Sequence, residues 1–228
     1  MDAMSIKWNK ISNSILKIYK DLEPGSNFES DSKYLMEAFE FTEILWENQF
    51  DKIDDLRVVM LSEAPLFGEK KTYIYNPATN PTAFFYYQDL NAFPTFNNDL
   101  NPKRVEEKKE IMFEQFAKNG FLVLNIFPFA LNSKDTSINY QRMGKKLYKD
   151  LLDVTTESYL LPKLAESFKK AKGTLNFIYR YKRLFEKTGF HVNNVLKENF
   201  NHRKFTVKSV HGTNMSMDRD KLAKYLKK

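Results

Sequence analysis

Residues Arg57 to Pro65 read R-V-V-M-L-S-E-A-P, a short apolar run that stops at a serine, a carboxylate and a proline. The β-branched and aliphatic side chains from Val58 to Ser62 suit a fully buried strand, and Pro65 cannot extend a central one. Glu63 is thereby presented just past a strand end, the edge at which parallel α/β sheets bind their ligands.

The same design recurs downstream. Phe121-Leu122-Val123-Leu124 is a second apolar strand that stops at Asn125, with Pro128 shortly after. Thr174 to Tyr179 gives a third, ending at Arg180, and Phe205 to Val210 a fourth, ending in His211-Gly212-Thr213-Asn214-Met215-Ser216. Helical spacing fills the intervals. Val105, Met112, Phe113 and Phe116 mark a helix that Asn101-Pro102 opens and Asn119-Gly120 closes. Met143, Leu147 and Leu151 mark another, and Tyr159, Leu160, Leu164 and Phe168 one more. Two short helices are expected before the fourth strand, Tyr181 to Lys187 with Gly189 as its cap and then Val192 to Asn199.

Two amphipathic helices precede the first strand, between about residues 4 and 50, built on Trp8, Ile11, Ile15, Tyr19, Leu35, Phe39 and Trp46. Helix-separated strands favour a parallel sheet covered on both faces. The expectation is one domain over residues 1–228. Its class is α/β, three-layer α/β/α with a central, mainly parallel four-stranded sheet and the N-terminal helices packed on it. Such a sheet brings Glu63, Asn125, Arg180 and His211 to one edge. The long segment from Leu66 to Asn101, rich in aromatics at Tyr73, Tyr75 and Phe84 to Tyr87, reads as an ordered wall beside that edge.

Composition narrows the chemistry. The chain has 228 residues, enough for one well-buried core, with 20 Phe and 12 Tyr, most of them core volume by default. It has no cysteine, which excludes disulfides, thiolate nucleophiles and cysteine-ligated zinc or iron–sulfur clusters. A net charge of +7 and a pI near 9.2 favour polyanionic partners. No run has the length of a membrane span and the first residues lack the apolar core of a signal peptide, so an intracellular, cytoplasmic protein with no membrane partner is expected.

A carboxylate, a carboxamide, a guanidinium and an imidazole beside aromatic rings would suit a flat heterocycle on a sugar phosphate. The planar Asn amide offers one acceptor and two donors, enough to pair with a base edge, and a base read in this way has left its helical stack. Ser62-Glu63-Ala64-Pro65 resembles the first motif of the uracil-DNA glycosylase superfamily, G-E-A-P-G in one of its branches. Gly120 to Asn125 resembles the strand that ends in that family's uracil-reading asparagine, and His211 to Ser216 is similar in spacing to its second motif, H-P-S-P-L-S. All three occur in family order, over the span from Arg57 to the C-terminus.

The resemblance implies a hydrolase that releases uracil from DNA after base flipping, acting as a monomer without metal or diffusible cofactor. In that reading Asn125 binds uracil, His211 stabilises the charge developing on its O2, and Glu63 positions water or stabilises the sugar cation. Tyr75 and Phe84 are the candidate stacking rings, Met215 the wedge, and Ser62, Arg180 and Ser216 the DNA contacts. Ala64 stands where another branch carries a catalytic aspartate, and Ser62 and Leu66 replace the glycines of the first motif. Two other readings remain beside it. One is a glycosylase-like module that binds nucleic acid without excising a base. The other is an α/β enzyme acting on a small nucleotide, for which the chain carries no Gly-rich phosphate fingerprint.

Overall fold

The four expected strands form in a computed structural model that describes residues 3–21, 27–85, 87–90, 93, 105–212 and 217–226. They are β1 (Val58–Ser62), β2 (Phe121–Asn125), β3 (Leu175–Tyr179) and β4 (Phe205–Ser209). All pair in parallel in the order β2-β1-β3-β4, so the stretch from Arg57 to Pro65 supplies a central strand. Val58 to Leu61 and the whole of β2 are buried, as expected of strands covered on both faces. Gly120 sets the β1–β2 register. Its φ of +61° turns the chain into β2, its carbonyl accepts from Arg57 and Val58, and a Cβ there would lie 2.2 Å from the Asp55 carbonyl.

Helices α1 (Ala3–Lys20) and α2 (Phe28–Asp51) pack on one another, and α1 also packs on α5 (Lys145–Thr155). Buried charge joins this layer, because Glu43 of α2 accepts from Lys163 of α6 (Leu161–Lys170) at 2.6 Å and from Lys7 of α1 at 3.2 Å. Asp31 of α2 is likewise buried and accepts from Tyr19 and from the backbone and hydroxyl of Ser137, which fixes the chain that follows β2. On the remaining elements, α4 (Val105–Lys118) packs on β2 and α7 (Lys182–Phe200) on β3 and β4. The short α3 (Tyr87–Leu90) and the terminal α8 (Arg219–Leu226) complete the described chain, and the fold is three-layer α/β. One continuous apolar core runs from Trp8 to Leu226. Among the described residues no helix is long and apolar enough to cross a membrane.

Two expectations about helices are corrected. The segment after β3 is one helix of 19 residues, running straight through Gly189. That glycine answers a packing demand, since a Cβ there would meet the Phe185 ring at 2.8 Å. The two helices between β2 and β3 are also joined, with a π-helical turn at Thr156–Leu160 absorbing the junction before Pro162. The Asn101-Pro102 helix start lies outside the described residues.

Candidate functional site at the β1–β3 crevice

Adjacent strands β1 and β3 send their chains in opposite directions, β1 toward β2 on one side and β3 toward β4 on the other. A crevice must open where such connections diverge, at the carboxyl ends of the two strands. A cleft of about 750 Å³ lies there, floored by Ser62, Glu63 and Ala64 at the end of β1 and by Arg180 to Leu184, which follow β3. Leu66, Phe84, Asn139, Tyr140, Lys187, His211 and Gly212 are among its walls.

The β1 end is held rigidly. The ladder to β2 continues past the strands, with Ile126 donating to the Ser62 carbonyl at 2.8 Å and Phe127 to the Glu63 carbonyl at 3.0 Å. Glu63 is half-buried and its Oε1 accepts from the Tyr148 hydroxyl of α5 at 2.9 Å. Burial, then the negative charge of Glu63, pushes the Tyr148 hydroxyl well above its ordinary range, so it stays protonated and donates to the carboxylate. Lys187 lies 4.3 Å over the Tyr148 ring. Beside it Tyr140 forms a buried wall, stacked on Phe127 at 5.1 Å with its hydroxyl donated to the Phe129 carbonyl at 2.8 Å.

The β4 end is tethered to the β3 end through Asp89, a residue without exposure. Its Oδ2 accepts from the Arg180 guanidinium at 3.0 Å and its Oδ1 from the Met217 backbone at 2.9 Å. Met217 in turn bridges His211, and Gly212 is packed so tightly that a Cβ would sit 3.1 Å from the Met217 backbone. His211 is exposed, and its Nδ1 is 2.8 Å from the Ser209 hydroxyl, which leaves Nε2 as the nitrogen to meet a ligand. Arg180 also donates to the Phe84 carbonyl, so its head group braces the cleft from within rather than reaching out to a phosphate.

The outward charge comes from elsewhere. Lys182, Arg183 and Lys187 are exposed on the first turns of α7 and line the cleft. Helix starts favour anions, and α7 has neither an acidic residue in its first turn nor a side-chain cap, so this lip is a concentrated positive field. The sequence R-Y-K-R at Arg180 to Arg183, three cations directly after a strand, was the available signal for it.

The structure thus gathers Ser62, Glu63, Phe84 and His211 on one cleft, with Arg180 as its internal brace. Asn125 is the register partner of Ser62 but does not line the cleft; it is 4% exposed, and among the buried groups of that region is the Tyr73 hydroxyl, whose acidity burial suppresses. Tyr75 is a core residue and not a wall of the cleft. Its hydroxyl accepts from the Val123 N–H at 2.5 Å and donates to the Val123 carbonyl at 3.3 Å, leaving no polar atom for a ligand. Met215 and Ser216 lie outside the described residues.

No protein-family model, curated protein or solved structure matches this chain. Chemistry at the cleft therefore rests on its own groups. A carboxylate backed by a phenol faces the same space as an imidazole, and cations border both. Among the described residues no cluster of His, Asp and Glu has the makings of a metal site.

Sequence reasoning missed Tyr140, Tyr148 and Asp89. Tyr148 reads as one more member of the stripe Tyr148, Leu151, Leu152 and Thr155 on α5, and only the position of Glu63 distinguishes it.

Proposed function

We propose that the chain is a base-excising hydrolase of the uracil-DNA glycosylase type, acting on DNA at the β1–β3 crevice. The observation that carries this reading is the meeting of Glu63 and His211 in one cleft beneath a cationic lip. The two residues belong to separate sequence motifs and come from opposite halves of the sheet.

Breaking a glycosidic bond builds positive charge on the sugar and negative charge on the departing base. Glu63, fixed by Tyr148, answers the first charge or orients the attacking water, and the outward nitrogen of His211 answers the second. Lys182, Arg183 and Lys187 attract the phosphates and hold the strand while a base enters. Asn125 stands beside Ser62 on the neighbouring strand and outside the cleft lining, so it would read only a base that reaches across to the end of β2. DNA as partner, the monomeric state and a cytoplasmic location belong to this same proposal.

The test is release of free uracil from single- and double-stranded oligonucleotides containing one deoxyuridine. The reading expects release that Glu63→Gln or His211→Ala abolishes; no release at stoichiometric protein overturns it. A second reading, binding without excision, is favoured by the burial of Asn125 outside the cleft lining and by Ala64 beside Glu63. It expects salt-sensitive DNA binding with uracil left in place.

A further inference from the structure

Six large apolar side chains are exposed among the described residues, and two of them, Leu66 and Tyr181, line the candidate cleft. Leu66 follows the end of β1 and Tyr181 the end of β3, so the two border the crevice from its two strands. Tyr181 is 41% exposed in a protein that buries most of its aromatic rings. Its exposure is not looseness. The Arg180 guanidinium lies 5.0 Å from the ring and is itself fixed by Asp89 and the Phe84 carbonyl, with Phe84 and Phe85 at 5.9 and 5.5 Å around it. A buried ion pair of this kind contributes little net stability, and its use lies in fixing geometry. Here it supports a ring held open to solvent at the mouth of a cleft.

We propose that Tyr181 is a stacking platform for a nucleobase of a single-stranded nucleic acid whose phosphates lie along Lys182, Arg183 and Lys187. An exposed ring beside a row of cations is complementary to one ligand chemistry, a flat heterocycle on an anionic backbone, and sequence-tolerant stacking on such rings is how single strands are held. Lys182 reaches Glu186 at 3.6 Å in an exposed pair that contributes little, so it remains available to a phosphate. Leu66 supplies the apolar edge on the β1 side. A base paired and stacked within a duplex cannot offer its face to the ring, so single strands bind more tightly than the same sequence in duplex form.

The proposal rests on the reading of the cleft as a nucleic-acid site, not on excision. Its test is fluorescence anisotropy with labelled twelve-nucleotide strands of deoxythymidine and of uridine, and with an abasic strand of the same length and charge. Tyr181→Ala should weaken binding of at least one base-bearing strand by about tenfold, while Tyr181→Phe binds as the wild type does and Tyr181→Leu binds as Tyr181→Ala does. On the abasic strand all four proteins should be equal. Exchanging both Lys182 and Arg183 for Gln should instead shallow the salt dependence on every strand. Equal affinity of Tyr181→Ala and wild type for both base-bearing strands overturns the proposal, as does an equal loss on the abasic strand or full affinity in Tyr181→Leu. Tyr181 is exposed, so unchanged thermal unfolding of these variants separates ligand effects from folding. Absent uracil release with the tenfold loss intact would sink the excision reading alone.

Discussion

β1 and β2 lie side by side and end alike, each a buried apolar run that stops at a polar residue, yet the two ends have opposite fates. At the β1–β3 crevice Glu63, His211, Lys182 and Arg183 line an open cleft. At the β2 edge the described polar groups around Val123 are turned inward. Val123 exchanges two hydrogen bonds with Tyr75 and accepts a third from the Trp46 indole at 3.1 Å. One residue before Tyr75, the Ile74 carbonyl accepts from the buried Lys109 at 2.6 Å. An edge strand left bare would recruit another chain, and here side chains cover it. Polar residues at strand ends are thus sites only where the connections diverge; elsewhere they are seals.

The largest effect that can break this contrast is on the open side. On the excision proposal, Glu63→Gln and His211→Ala should each lower uracil release by about 100-fold or more, because that proposal assigns each to charge that develops in the transition state. Both should unfold within about 0.5 kcal/mol of the wild type, as expected of changes at partly exposed positions. A loss of activity matched by a loss of fold would move these residues to the side of the seals.

On the closed side the sign reverses. Tyr75→Phe should cost about 2 kcal/mol in denaturant unfolding, since the Val123 N–H is left buried without its partner. Affinity for single-stranded DNA should not change. A change in affinity with stability intact would make Tyr75 a ligand-facing ring after all.

How far the sequence carries is visible in these same residues. Strands β1 and β2 were legible because their apolar runs are unbroken and bounded by Pro65, Gly120 and Pro128, and burial on both faces demands such runs. Glu63 and His211 were legible as the first polar groups past strand ends. The fate of Asn125 was not, because the number of each strand in the chain says nothing about whether it lies at the edge or the centre of the sheet. That order places β1 between β2 and β3, and puts the crevice beside Glu63 and away from Asn125. Gly189 was misread for a related reason: close approach of Phe185 and a helix end ask for the same residue.

Asn125 is the residue on which the contrast turns. Asn125→Ala should cost about 1 kcal/mol, as expected of emptying a buried position, and should leave affinity for undamaged DNA untouched. Weakened binding of undamaged strands would place its amide in the open cleft. If uracil release also fell while binding held, the base would have to reach past Ser62 to the end of β2.

The smallest expected effect sharpens the closed side through pH. Lys109 is 1% exposed, and burial lowers its amine to about 7, against an ordinary lysine value of 10.5. Below pH 7 the folded protein carries a buried ammonium, with no difference in bound protons from the unfolded chain. Between about 7 and 10.5 the unfolded chain holds a proton that the folded one has given up, so stability rises with pH across that window. Lys109→Met has no such group and should lack this rise. Chemical unfolding at pH 7 and pH 8 should show the wild type gaining about 1 kcal/mol more than the variant, the linkage limit being about 1.4 kcal/mol per pH unit. Equal gains would mean that water reaches Lys109, and that the cover over the β2 edge is less tight than its hydrogen bonds suggest.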